Sequence, residues 1–126
     1  MSPYHMRLSI YLLGGDSIHV KRIIWWLLVG SKGGMNRALI IKALKERPYN
    51  ANQLAELLNL DYKTVRHHLK ILQDNGVIES AGDKYGVVYF LSAHMEREYR
   101  IFEDFLNRMW EKFESEHGKG EESERK

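Results

Sequence analysis

The sequence predicts a mainly α-helical chain that carries one small β-hairpin. Three patterns predict it. Apolar residues recur at the i, i+3, i+4, i+7 spacing of a buried helical face in successive stretches bounded by capping or breaking residues. Two β-branched and aromatic runs, Val77-Ile78-Glu79-Ser80 and Val87-Val88-Tyr89-Phe90-Leu91, flank the glycine-bounded loop 81–86. The C-terminal part carries an apolar seam at alternating spacings of 4 and 3, the repeat of a helix that lies along a partner helix.

At the N-terminus, Leu8 to Leu13 is an apolar run fit for a strand or a packed arm, and Gly14-Gly15 closes it. Asp16 or Ser17 can cap a helix to about Val29, ended by Gly30-Ser31-Lys32-Gly33-Gly34. Its second half, Ile23-Ile24-Trp25-Trp26-Leu27-Leu28-Val29, has no polar face, so it needs cover on every side. Spanning a bilayer takes ~20 apolar residues, more than this run supplies behind Lys21-Arg22, so a transmembrane reading fails on length. A Trp pair beside two cations also suits a membrane surface. The plainer reading is a core or dimer helix, with Ile23, Trp25, Trp26 and Leu27 as dimerisation residues.

Asn36 opens a helix whose buried stripe is Ile40, Ile41 and Leu44, with Lys42, Lys45, Glu46 and Arg47 in water, and Pro48 ends it. Tyr49-Asn50 is a short extended link. Asn50 with Gln53 three residues later has the form of a capping box for a helix from Ala51 to Leu58. Asn59-Leu60 turns the chain into the next helix, which Asp61 caps and Asn75-Gly76 stops. Helix, helix, short turn, helix is a helix-turn-helix, and a hairpin directly behind it is a wing. From Ser92 the chain returns to helix, with Met95, Tyr99, Phe102, Leu106, Met109 and Phe113 on the seam and Phe105 and Trp110 widening it. The seam wants a partner helix: the N-terminal helix of the same chain, the equivalent helix of a second chain, or both. The expected organisation is an N-terminal apolar arm and helix (1–34), a winged helix-turn-helix (35–92), a C-terminal coiled-coil-like helix (93–117) and a disordered charged tail (118–126).

The helix over 61–74 carries the chemistry. Val65, Leu69 and Leu72 make its buried stripe, while Tyr62, Lys63, Arg66, His67 and Lys70 occupy the remaining arc. Cations to hold phosphates beside Tyr, Thr and His to meet base edges suit a helix that reads DNA. His67 is on the wet face; His68 borders the apolar stripe and is expected to be a half-buried packing residue. The charge distribution agrees with a nucleic-acid partner: residues 1–92 sum to +5 and residues 93–126 to −3, within a net charge of +2. At 126 residues one domain with an appendage is expected. No cysteine is present, which excludes disulfides, thiolate metal ligands and cysteine nucleophiles. His94 and Glu98 stand one turn apart, too few ligands for a zinc site, so no metal or other cofactor is expected. No nucleophile with its base, no paired carboxylates and no phosphate-binding glycine motif supports an enzyme. The start lacks a signal-peptide layout, which points to the cytoplasm.

The run Asn50-x-Asn52-Gln53-Leu54-Ala55-Glu56-x-Leu58-x-Leu60-Asp61-x-Lys63-Thr64-Val65-x-x-His68-Leu69-x-x-Leu72-x-x-x-Gly76-Val77-Ile78 resembles the ArsR-like winged helix-turn-helix regulators, especially small archaeal ones. The resemblance covers about Asn36 to Leu91. It implies a homodimeric transcription regulator that binds double-stranded, palindromic DNA, with its Thr-Val-x-x-His-Leu helix in the major groove and its wing on the flanking backbone. Carried over by position, Asn52, Gln53, Tyr62, Lys63, Thr64, Arg66, His67 and Lys70 would face DNA, with Lys84 and Tyr85 at the wing tip. Dimerisation is expected through Ile23, Trp25, Trp26 and Leu27 and through Tyr99, Phe102, Leu106, Met109 and Phe113. The Trp-rich N-terminal helix departs from the minimal family pattern. It leaves open a winged helix that binds a protein or a membrane surface instead of DNA.

Overall fold

The computed structural model describes residues 17–30 and 32–125, with side chains for 21–30, 32–111, 114 and 115. The N-terminal arm, the Asp16 cap, Ser31, Lys126 and the Phe113 side chain lie outside the described residues. Among the described residues six helices and one hairpin follow in order: α1 (Ser17–Leu28), α2 (Gly34–Glu46), α3 (Ala51–Leu58), α4 (Tyr62–Asp74), β1 (Ile78–Asp83), β2 (Gly86–Leu91), α5 (Ala93–Arg97) and α6 (Tyr99–Arg125). Mainly α with a small hairpin is therefore the fold, in the winged helix-turn-helix arrangement.

The local signals act where the sequence places them. Asn50 Oδ1 accepts from the Gln53 amide at 2.7 Å and Gln53 Oε1 accepts from the Asn50 amide at 2.8 Å, closing the capping box of α3. Asn59 takes the left-handed conformation (φ 54°) that lets the chain reverse between α3 and α4. Asp61 Oδ2 accepts from the amides of Lys63 (3.0 Å) and Thr64 (3.3 Å), so α4 starts at Tyr62. Gly76, at φ 70°, ends the turn that follows α4.

The core is one cluster in which Ile40, Ile41 and Leu44 of α2 meet Leu54 of α3, Val65, Leu69 and Leu72 of α4, and Ile78, Tyr89 and Leu91 of the hairpin. α1 packs against both α2 and α6. Ile23, Ile24, Leu27 and Leu28 are buried in that layer, whereas Trp25 is 50% exposed and Val29 48%. The run without a polar face thus acquires a wet side, because two helices of its own chain cover the other. A close approach of α1 to α2 makes this possible: a Cβ on Gly34 would lie 1.9 Å from the Leu28 carbonyl oxygen.

Four boundaries differ from those the sequence predicts, the first being that α2 starts at Gly34, two residues before Asn36. The hairpin strands extend to Asp83 and from Gly86, which leaves only Lys84 and Tyr85 between them, since Ala81, Gly82 and Asp83 continue the ladder opposite Val88, Val87 and Gly86. The C-terminal helix is two helices: α5 stops at Arg97, the amide of Glu98 bonds to the His94 carbonyl, and Tyr99 starts α6. α6 then runs on past Gly118 to Arg125, where composition predicts disorder. Two glycines cost about 1 kcal/mol each in a helix but do not forbid it, and the Glu, Lys and Arg around them are good helix formers.

Candidate nucleic-acid interface

α4 is held at its back by Val65, Leu69 and Leu72, all fully buried, so Tyr62, Lys63, Arg66, His67 and Lys70 are turned outward and exposed, as their spacing predicts. Thr64 is half-buried at the edge of this face. Asn52 and Gln53 are exposed at the start of α3; the Gln53 carbonyl oxygen is occupied in the capping box, which leaves its amide group as the outward donor. Lys70 lies 3.3 Å from Asp74 one turn on, a solvated i,i+4 pair that water and salt readily loosen.

The hairpin stands beside this face and is tied to it by two side-chain bonds that no local sequence pattern foretells. Arg66 Nη1 donates to Tyr89 Oη at 2.8 Å, and Gln73 Nε2 donates to Ser80 Oγ at 2.9 Å. The first bond fixes the direction of the Arg66 guanidinium, because Tyr89 is itself buried at 5% exposure. At the tip, Asp83 Oδ1 accepts from the Tyr85 amide at 2.8 Å, an Asx turn that projects Tyr85 into solvent at 85% exposure. Lys84 Nζ lies 5.1 Å from the Tyr85 ring centroid.

Between the start of α3, the outer face of α4 and the hairpin lies a cleft of about 350 Å³ lined by Asn50, Asn52, Tyr62, Arg66, Lys84, Tyr85 and Tyr89. Its walls are hydrogen-bond donors, aromatic rings and two cations, with the Asp83 carboxylate engaged in its own turn. Such a surface accepts anionic, edge-presenting ligands; it offers no nucleophile with a base behind it.

Residues 35–80 match the family model described as "Bacterial regulatory protein, arsR family". The ArsR-like segment thus spans α2, α3, α4 and the first residues of the hairpin, the same elements that build the face just described. It is a family of regulatory proteins and not of enzymes. Among solved structures the fold is similar to a mutant of ZitR from Lactococcus lactis, at 19% identity and TM-score 0.52, covering 68% of this chain and 59% of that one. It is also similar to reduced HlyU from Vibrio cholerae, at 20% identity and TM-score 0.54 over 75% of this chain and 93% of that one. The reduced form of the transcriptional regulator YodB from B. subtilis aligns at 21% identity and TM-score 0.54, over 65% of this chain and 81% of that one. The chain spans less than two thirds of the length of the ZitR structure. No curated protein sequence matches the chain.

The dimerisation residues named from sequence divide into two groups. Ile23, Leu27 and Phe102 lie in the chain's own core, at 5%, 0% and 0% exposure, so their side chains serve packing within one chain and are not a surface for another. Trp26, Tyr99, Leu106 and Met109 are partly covered and pack on that core, and Trp25 is half exposed. The seam therefore pairs with α1 of its own chain near Phe102 and loses cover farther along α6, where Trp110 is 47% exposed. His94 Nδ1 takes a hydrogen bond from Arg97 Nη2 at 2.7 Å, and among the described residues no three ligand-type side chains converge on a metal position. No helix among them is long and apolar enough to cross a membrane.

Sequence reasoning missed a buried cation. Arg37 is 2% exposed and bonds to His68, which at 5% exposure is a buried hydrogen-bonding residue and not the half-buried packing residue expected. A signal was present: Arg37 precedes Ile40, Ile41 and Leu44 by 3, 4 and 7 positions, which places it on the buried stripe of α2.

Proposed function

We propose that the chain is a cytoplasmic, homodimeric DNA-binding transcription regulator that lays α4 in the major groove and its wing along the flanking backbone. One observation carries this reading: the exposed face of α4 and the wing tip line one polar cleft, with α4 tied to the base of the wing through the Arg66–Tyr89 bond, on a fold of the ArsR regulatory type. In this reading Tyr62, Thr64, Arg66 and His67 meet base edges. Asn52, Gln53, Lys63, Lys70, Lys84 and Tyr85 flank them as backbone contacts that set register. Half-exposed Trp25 and Trp110 and the thinly covered far part of α6 support pairing with a second copy. Two reading helices related by a two-fold axis would sit about one DNA turn, ~34 Å, apart and ask for a palindrome.

Selection of double-stranded DNA from a random pool by the purified full chain, with a mass measurement in solution, tests this. Enrichment of a short palindrome by a species of twice the chain mass is expected. A monomer that enriches no sequence overturns the proposal and favours a winged helix that docks on a protein or membrane surface through its tryptophans.

A further inference from the structure

The buried side of the reading helix holds one polar side chain, His68, and a second polar group from another helix meets it there. Arg37 of α2 donates from Nη1 to His68 Nδ1 at 3.1 Å, from Nε to the Leu27 carbonyl at 2.8 Å and from Nη2 to the Lys32 carbonyl at 2.8 Å. One guanidinium thus joins the middle of α4, the C-terminal end of α1 and the loop between α1 and α2. Its planar fork serves acceptors in three directions, which a lysine ammonium on a flexible stem does not reproduce. The Leu27 carbonyl is among the last four of α1, and the bond from Arg37 Nε ties that end of the helix to α2. A cation is also favoured at that end of a helix dipole.

The loop is shaped around the pair. Gly33 has φ 82°, and a Cβ there would stand 2.6 Å from His68 Cε1. Apolar faces tolerate small rotations of one helix on another, whereas a hydrogen bond fixes direction. A buried polar pair is a poor source of stability compared with apolar packing of the same volume, which makes orientation its more natural role.

We propose that Arg37 and His68 are positioning residues that lock the reading helix to the C-terminal end of α1 and so set the angle at which α4 meets DNA. The proposal rests on the reading that α4 contacts DNA. Since α1 lies along α6, a displacement of that helix pair is carried to α4 through Arg37. His68 accepts through Nδ1 and must be neutral to do so. Burial first, then the Arg37 charge, then His67, hold its pKa at about 4, so the lock is closed at neutral pH.

Two full-length variants test it, Arg37→Lys and His68→Leu, which cut the bond from opposite sides. Each is measured for affinity to the duplex selected by the wild-type chain, for affinity to random-sequence duplex, and for backbone amide exchange without DNA. The expected result is a loss of about tenfold or more in the ratio of selected to random affinity, with random-sequence binding unchanged. Exchange should rise about tenfold in α4, with the hairpin unaffected. A folded variant that keeps both the ratio and the α4 exchange rate overturns the proposal. If Arg37→Lys does not unfold cooperatively, His68→Leu decides. Loss of folding in both makes the pair a folding element and also overturns it. If the wild-type chain enriches no duplex, the proposed function fails, and exchange in α4 alone decides the lock.

Discussion

Acid should destabilise this protein through one histidine over a window set by its burial. His68 titrates at about 4 in the folded chain against 6.5 for an unperturbed imidazole. Between those values the unfolded chain binds a proton that the folded chain does not, so stability is full above the unfolded pKa and falls as pH drops toward the folded one. Each pH unit that separates the two values corresponds to ~1.4 kcal/mol, so the total reaches about 3 kcal/mol, of which about 2 kcal/mol is lost between pH 7 and pH 5. The assay is urea unfolding of the wild-type chain and of His68→Gln at pH 7, 6 and 5, at one protein concentration. Glutamine retains an acceptor for Arg37 but has no proton to gain, and every other titrating group is common to both chains. The wild-type free energy should therefore fall about 2 kcal/mol more than that of the variant across this range. Parallel pH profiles, or a His68 resonance titrating at 6.5 or above, would refute the reasoning.

Arg66→Ala should relax sequence preference, whereas Lys84→Ala should weaken all duplexes about equally and reduce the salt slope by about one, as measured by binding at several salt concentrations. Phe102→Ala should cost about 3–5 kcal/mol in denaturant unfolding because the side chain is fully enclosed in the core. Trp110→Ala should leave the unfolding free energy of the monomer within about 0.5 kcal/mol and lower its tendency to dimerise, read by sedimentation. Asn50→Ala removes half of the α3 capping box and should cost about 1 kcal/mol in thermal or urea melts.

Much of α3, α4 and the turn that follows is legible in the sequence because its signals are local. Asn50 with Gln53, Asp61 before Tyr62 and Gly76 after α4 each act within a few residues, and each bounds its element as expected. The outward face of α4 follows from period alone once Val65, Leu69 and Leu72 are recognised as its back. Contacts between residues far apart in the chain are not legible. Arg66 and Tyr89 lie 23 positions apart, and in sequence the tyrosine is one more aromatic of a strand. Nothing in the uniformly apolar run from Ile23 to Val29 states which side meets α6, so Ile23 and Leu27 read as residues for a second chain when their own chain buries them. Arg37 escapes notice because a cation on an apolar stripe is ordinarily a solvated one that has strayed from the pattern. Its acceptors come from three segments that only the folded chain brings together.

Tyr49, on the link between α2 and α3, exchanges both backbone hydrogen bonds with Tyr89 of the hairpin, at 3.2 and 2.8 Å. The hairpin is thereby anchored by main chain to the residue just ahead of the α3 cap, and the two walls of the cleft share one foundation. Side-chain replacement at Lys84, Tyr85 or Asn52 changes the lining of the cleft but leaves the span between its walls as it was. In mechanical terms the cleft is a fixed-gauge caliper: main chain sets its span, and side chains set only the chemistry of its tips.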